Sequence, residues 1–214
     1  MGISRKIVPL CLWAMISGVC AAPAEVADAK SLRTQFIKRH QPISSWSASF
    51  TQTLVLPGLR QPILSSGTLI YRSPDAVRLD FDKPQGQYVL VVGDEVFLQR
   101  TDRSIEVKSL ADDPEGKPFQ LLLSFLHGAP FDGESSYDSQ LSRKGSQYRL
   151  VLKRKADESN ELPDQITHVF DVESLDAKEV RVNLPDGGSV AMQFDGAKWN
   201  IPVDAGRFAP PQVP

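Results

Sequence analysis

Few residues in the 214-residue chain are spaced for chemistry. Its three histidines, His40, His127 and His168, fall in three different segments, and none shares metal-ligand spacing with another. Asp112, Asp113 and Glu115 lack the regular ligand alternation of a calcium loop and read as a solvated acidic turn. Ser65-Ser66-Gly67 is not followed by the helix that a nucleophile elbow requires. No glycine-rich phosphate loop is present. Lys153, Arg154 and Lys155 face Asp157, Glu158 and Glu161 across a turn, the pattern of a solvated strand end that discourages edge pairing. These residues predict no catalytic set, no metal site and no cofactor, and so no enzyme.

Both cysteines, Cys11 and Cys20, lie in a segment that reads as an export leader. Arg5 and Lys6 supply its positive start, Ile7 to Val19 its short apolar stretch, and Cys20, Ala21, Ala22 and Ala24 its small-residue end. Residues 1–24 are therefore expected to be a signal peptide, cut after Ala21 or Ala24. Cys20 follows Val19 and Cys11 follows Leu10, so neither fits a lipidation signal, and a soluble periplasmic protein is expected. Its mature part, 25–214, would contain no cysteine, which excludes disulfides, thiol catalysis and zinc-cysteine sites. Without Arg5 and Lys6 it would hold 22 basic against 26 acidic residues, no signature of a nucleic-acid partner. At 41% hydrophobic and 23% charged, the composition is that of a globular protein.

The elements follow from periodicity. Residues 26–40 place Ala29, Leu32, Phe36 and Ile37 on one helical face, with Asp28 near the start and Lys38, Arg39 and His40 near the end. Pro42 stops that helix. From Ser45 the period becomes two: Trp46, Ala48, Phe50, Gln52, Leu54 and Leu56 alternate with Ser, Thr and Val. Further strands are expected at 63–72, 77–82, 87–92, 96–100, 104–108, 147–154, 165–172, 177–184 and 189–195. Turn residues separate them, with hairpin signals at Gly93-Asp94, Asp186-Gly187-Gly188 and Asp195-Gly196. That makes about ten or eleven strands in consecutive antiparallel order.

One helix interrupts the meander. In residues 117–127, Phe119, Leu122, Leu123 and Leu126 form a stripe that Leu121 and Phe125 widen, and Gly128 follows. So apolar a helix must pack on the sheet, either as filler of the core or as a lid over an apolar cavity. Strand alternation assigns Trp46, Phe50, Leu69, Tyr71, Val77, Leu79, Phe81, Leu90 and Val92 to one concave apolar surface, although residues 87–92 are apolar on both sides.

Several segments together resemble the LolA family of periplasmic carriers of outer-membrane lipoproteins. They are Ser47-Ala48-Ser49-Phe50-Thr51-Gln52, Ser66 through Pro74, Arg78-Leu79-Asp80-Phe81 with Pro84, Val91 through Phe97, Lys117-Pro118-Phe119 through Leu126, and Asp204 through Phe208 with Pro210-Pro211. The match spans nearly all of residues 25–214, as a single carrier domain.

The resemblance implies an α+β, mainly β fold: an open half-barrel whose cavity is closed by the N-terminal and mid-chain helices. It further implies a monomer whose cavity holds the acyl chains of triacylated lipoproteins. An inner-membrane ATP-driven lipoprotein-releasing complex would load it, and an outer-membrane acceptor would unload it. Phe119, Leu122, Leu123, Phe125 and Leu126 would form the lid. Many members hold the lid with an arginine just before the strand-ending proline. Here that position is Ser73, which leaves Arg72 and Arg78 as candidate latches. The alternative reading is a carrier of another acylated amphiphile, or a lipid-sensing module on the same fold.

Overall fold

A computed structural model describes residues 28–40, 42–110, 123, 136–159 and 162–212. The chain opens with α1 (Ala29–His40), which buries Ala29, Leu32, Phe36 and His40, a spacing of three to four that keeps them on one face. The Asp28 carboxylate accepts the Ser31 N–H at 2.7 Å at the helix start. That bond holds the Asp28 carboxyl below its ordinary pKa.

Eleven strands follow: β1 (Ser45–Val55), β2 (Ile63–Arg72), β3 (Ala76–Lys83), β4 (Tyr88–Val92), β5 (Glu95–Gln99), β6 (Ile105–Ser109), β7 (Tyr137–Lys144), β8 (Gln147–Arg154), β9 (Gln165–Asp171), β10 (Ala177–Asn183) and β11 (Ser189–Trp199). All form one antiparallel sheet in the order β6-β5-β4-β3-β2-β1-β11-β10-β9-β8-β7. Consecutive strands pair throughout except β6 and β7, which become the two edges. The pairing of β1 with β11 joins the halves instead. The sheet is not closed.

One expectation changes and one strand is added. The segment Asp195-Gly196 is not a hairpin. It lies inside β11, where Gly196 adopts φ +64° and the pairing with β1 shifts between Ser47 and Ser49. A glycine in the left-handed region of a strand makes a bulge rather than a reversal. Strand β7 was invisible to periodicity because this edge strand offers only Tyr137 and Leu141 as apolar residues, and most of it is exposed. The expected helix at 117–127 falls outside the described residues, apart from Leu123, which is buried in the main core cluster.

Each face of the sheet carries an apolar cluster. The larger includes Leu32 and Phe36 of α1 and spans strands of both halves; this is the helix face. The smaller joins Ile70, Ala76, Leu90, Phe97 and Phe208 on the back. The last of these comes from a 3-10 turn, Ala205–Phe208, whose start is capped by Asp204 accepting the Gly206 N–H at 2.9 Å.

Candidate functional site

Antiparallel register sets side chains of directly opposed residues on the same face, so the pairings read out the helix face in rows. One row runs Trp199, Trp46, Tyr71, Val77, Val91, Val96 across β11, β1, β2, β3, β4 and β5. A second runs Ala48, Leu69, Leu79, Val89, Leu98. A third joins Phe194, Phe50 and Phe81, with Gly67 between the two phenylalanines. Phe50 meets Phe81 edge to face, centroids 5.4 Å apart. In the other half, one row runs Tyr148, Phe170, Ala177, and another runs Leu152, Ile166, Val182, Val190 to reach Leu54 of β1.

Gly67 is needed for this packing. A Cβ there would stand 2.0 Å from the Asp80 carbonyl oxygen, at a shift in β2–β3 pairing. The glycine after Ser65-Ser66 therefore serves a close backbone approach.

Of the expected cavity residues, Trp46, Phe50, Leu69, Tyr71, Val77 and Leu79 are buried in the helix-face cluster, and Phe81 packs against it half-exposed. Leu90 and Val92 do not join them. Leu90 opposes Arg78 and Phe97, and Val92 opposes Ala76, which places both in the back cluster. Val89 and Val91 occupy the helix face instead. A strand apolar on both sides gives no period to decide its facing, and the one-residue difference follows from register alone. Sequence reasoning also missed the far half of the wall: Tyr148, Leu150, Leu152, Ile166, Phe170 and Phe194. Their alternation was legible, but only the β1–β11 pairing joins them to Trp46 and Phe50.

Burial along β1 falls toward the β1–β2 hairpin. Trp46, Ala48 and Phe50 are buried, Gln52 and Leu54 half-buried, Leu56 exposed. Helix α1 covers the opposite end, where Phe36 meets Phe170 and Trp199 edge to face at 6.2 and 5.7 Å. His40 stacks on Trp199 there, and burial lowers its pKa, with nearby Asp176 opposing in part. His168, between Leu150 and Val180 in the wall, is pushed down to about 4 by burial, so it stays neutral at neutral pH. His127 lies outside the described residues. No group of three His, Cys, Asp or Glu suited to a metal occurs among the described residues.

The candidate latches sit on the back. The Arg72 guanidinium lies 4.6 Å over the Phe208 ring. Arg78 covers the Tyr88 ring at 4.2 Å, donates from Nε to Asp80 Oδ1 at 2.8 Å, and donates from Nη1 to the Arg207 carbonyl at 3.0 Å. Arg207 pairs with the other oxygen of Asp80. These groups hold the closing turn against β2, β3 and β4, across the sheet from Leu123. Of the expected lid, Phe119, Leu122, Phe125 and Leu126 lie outside the described residues.

The helix face of this unclosed antiparallel sheet is largely apolar, interrupted by Gln52 and His168, and the amphipathic helix α1 packs on it. The chain belongs to the LolA family: the family model described as outer membrane lipoprotein carrier protein LolA matches residues 41–211. It is similar to the outer-membrane lipoprotein carrier protein of Actinobacillus succinogenes, 30% identical over 151 residues that cover 70% of this chain and 67% of that one. Among solved structures, an uncharacterised conserved protein from Thermus thermophilus superposes with a TM-score of 0.53 at 8% identity, covering 86% of this chain and 94% of the other. A DUF1329 family protein from Desulfovibrio piger gives 0.50 at 10% identity, covering 85% and 95%. These two share the fold. The family is described as carriers, which fits a protein that is not an enzyme.

Proposed function

We propose that this protein is a periplasmic carrier that shields the acyl chains of lipoproteins on the helix face and ferries them from the inner to the outer membrane. The observation carrying the reading is the largely apolar wall from β5 through β1 to β8 on an unclosed sheet. Membership of the carrier family supports the cargo class. Residues 1–24 serve as the export signal, cut after Ala21 or Ala24, and 25–214 form the carrier domain. An ATP-driven inner-membrane complex loads the cargo, and an outer-membrane acceptor takes it.

Magnitudes suit the task. Burying a methylene contributes about 0.8 kcal/mol, so one long acyl chain contributes on the order of 10 kcal/mol. Handover then needs a competitor for the same wall, and the apolar segment 117–127 is that competitor, a lid whose packing alternates with the cargo's.

Mass spectrometry of material copurified from the native periplasm tests the cargo. Triacylated lipoproteins are the expected result; a different amphiphile would replace that part of the reading. An environment-sensitive apolar probe should bind the purified protein and be displaced by long-chain acyl competitors. Undiminished probe binding by Phe81→Asp, whose ring is half-exposed on the wall, would remove the helix face as the binding surface.

A further inference from the structure

Six large apolar side chains are exposed among the described residues, and five of them, Val55, Leu56, Leu59, Ile63 and Leu64, lie within one hairpin end. Leu59 is 53% and Leu64 68% exposed. The pairing shows why no described strand covers them. The β1–β2 ladder ends at Leu54 opposite Ile63, and β1 meets β11 last at Val55 opposite Ser189. On the other side β3 begins to pair only at Ser66 opposite Lys83. Residues 56–62 thus stand beyond both neighbouring strands. The Leu59 N–H donates to the Leu56 carbonyl at 3.2 Å and fixes the turn.

A half-buried hairpin should be apolar on one side only. Here Leu54 and Ile63 continue the helix-face row, whereas Val55 and Leu64 take positions on the back that β1 fills lower down with Ser47, Ser49, Thr51 and Thr53. The end is greasy on both sides and at its tip, which packing among the described residues does not require. An apolar cluster left in water signals something that covers it.

We propose that the β1–β2 hairpin end docks shallowly on a phospholipid surface. Its shape is a convex knob of aliphatic side chains, with no aromatic residue between Phe50 and Tyr71. Protein interfaces favour aromatic anchors seated in pockets, while a convex aliphatic tip is accommodated by acyl chains at a membrane interface. Charge agrees. Residues 51–66 of the hairpin carry no Asp or Glu, and Arg60 is their single charged side chain. Arg60 adjoins Leu59 at the tip, where its stem can lie along the lipid and its guanidinium reach headgroup phosphate. Asp186 of the adjoining β10–β11 turn is engaged with the Gly188 N–H at 2.8 Å. The short tip makes the docking weak and reversible, and it requires no cargo on the helix face.

The test uses the whole protein and vesicles of phosphatidylethanolamine with phosphatidylglycerol, free of any lipoprotein. The native protein is expected to cosediment with them. Leu59→Asp combined with Leu64→Asp is expected to lower the partition by at least ~tenfold. Both side chains are exposed, so the unfolding midpoint and apolar-probe affinity of that variant should match the native protein and exclude misfolding or a lost wall as the cause. In Leu59→Trp the added emission should shift blue on vesicle addition and be quenched by brominated lipid. No cosedimentation of the native protein, equal partition of the double variant, or an unshifted Leu59→Trp each overturns the proposal. Loss of handover to an acceptor with vesicle partition intact would make the tip a protein contact and likewise overturn it.

Discussion

His40 lies flat on Trp199, ring centroids 3.9 Å apart and planes 25° from parallel, while the same indole donates Nε1–H to Asp176 at 2.7 Å. One stacked pair thereby ties the last turn of α1 to β11 and to the residue before β10. With His168 it gives the protein two buried imidazoles whose pKa values lie below the ordinary 6.5, His168 at about 4.

The pH dependence follows from the sign of those shifts. A histidine depressed in the folded state binds its proton more readily when unfolded, so its neutral form stabilises the fold above about pH 6.5 and that contribution fades as pH falls. For His168 the loss runs from about 6.5 down to about 4 and amounts at most to something on the order of 3 kcal/mol. Thermal unfolding scanned across this window should show the midpoint falling with acid. His168→Leu should flatten much of the slope. An identical slope in that variant would assign the acid sensitivity to His40 and the carboxylates.

Gly67→Ala should destabilise the protein by about 2 kcal/mol or more, the scale of overpacking where backbone must move. The added methyl would meet the Asp80 carbonyl, not the flexible end of a side chain, so β2 and β3 would have to part at their bulge. Denaturant unfolding checks this, and a midpoint unchanged from the native protein would contradict the register.

How much was legible in the sequence depended on period and on partners. Strand β1 declared itself because Trp46, Ala48 and Phe50 alternate with three serines, and α1 because its buried residues recur at helical spacing. Residues 87–92 declared a strand but not its facing, since Leu90 and Val92 are as apolar as Val89 and Val91; only pairing with Leu79 and Arg78 decides it. The back cluster was not visible at all. Phe208 reads as an isolated aromatic in a proline-rich tail, and its pocket of Ile70, Ala76, Leu90 and Phe97 comes from strands far away in sequence. The family's arginine position points to Arg72 and Arg78 as latches for a lid, whereas register sets them opposite Ala76 and Ile70 on the far side of the sheet.

That placement yields a prediction for the back face. Phe208→Ala should cost about 3–5 kcal/mol of stability, as for a fully buried aromatic. Arg78→Ala, which removes the donor to Asp80 and the Arg207 carbonyl, should also lower the unfolding midpoint. Neither should change apolar-probe affinity, because both act across the sheet from the wall. A gain in probe affinity or a slower handover in Arg78→Ala would instead make this arginine a latch acting through the sheet.

The last prediction concerns Leu123, which is buried with the helix-face cluster and belongs to the apolar segment 117–127. Two roles make opposite demands on it. As permanent filler it would behave like Leu150 of β8, also buried in that cluster, and truncation of either to alanine would cost about 2–5 kcal/mol. As part of a lid it competes with acyl chains for the same wall, so truncation weakens the closed empty state relative to the loaded one. Leu123→Ala should then lower the unfolding midpoint less than Leu150→Ala, raise probe affinity, and slow release to an acceptor. The extra affinity is bounded by the packing removed, since a ligand shifts an equilibrium only by its differential affinity for the two states. Measuring unfolding and probe binding on the two variants side by side separates the roles. Equal losses of midpoint with unchanged affinity in Leu123→Ala would make the segment a fixed part of the core and leave the wall without its competitor.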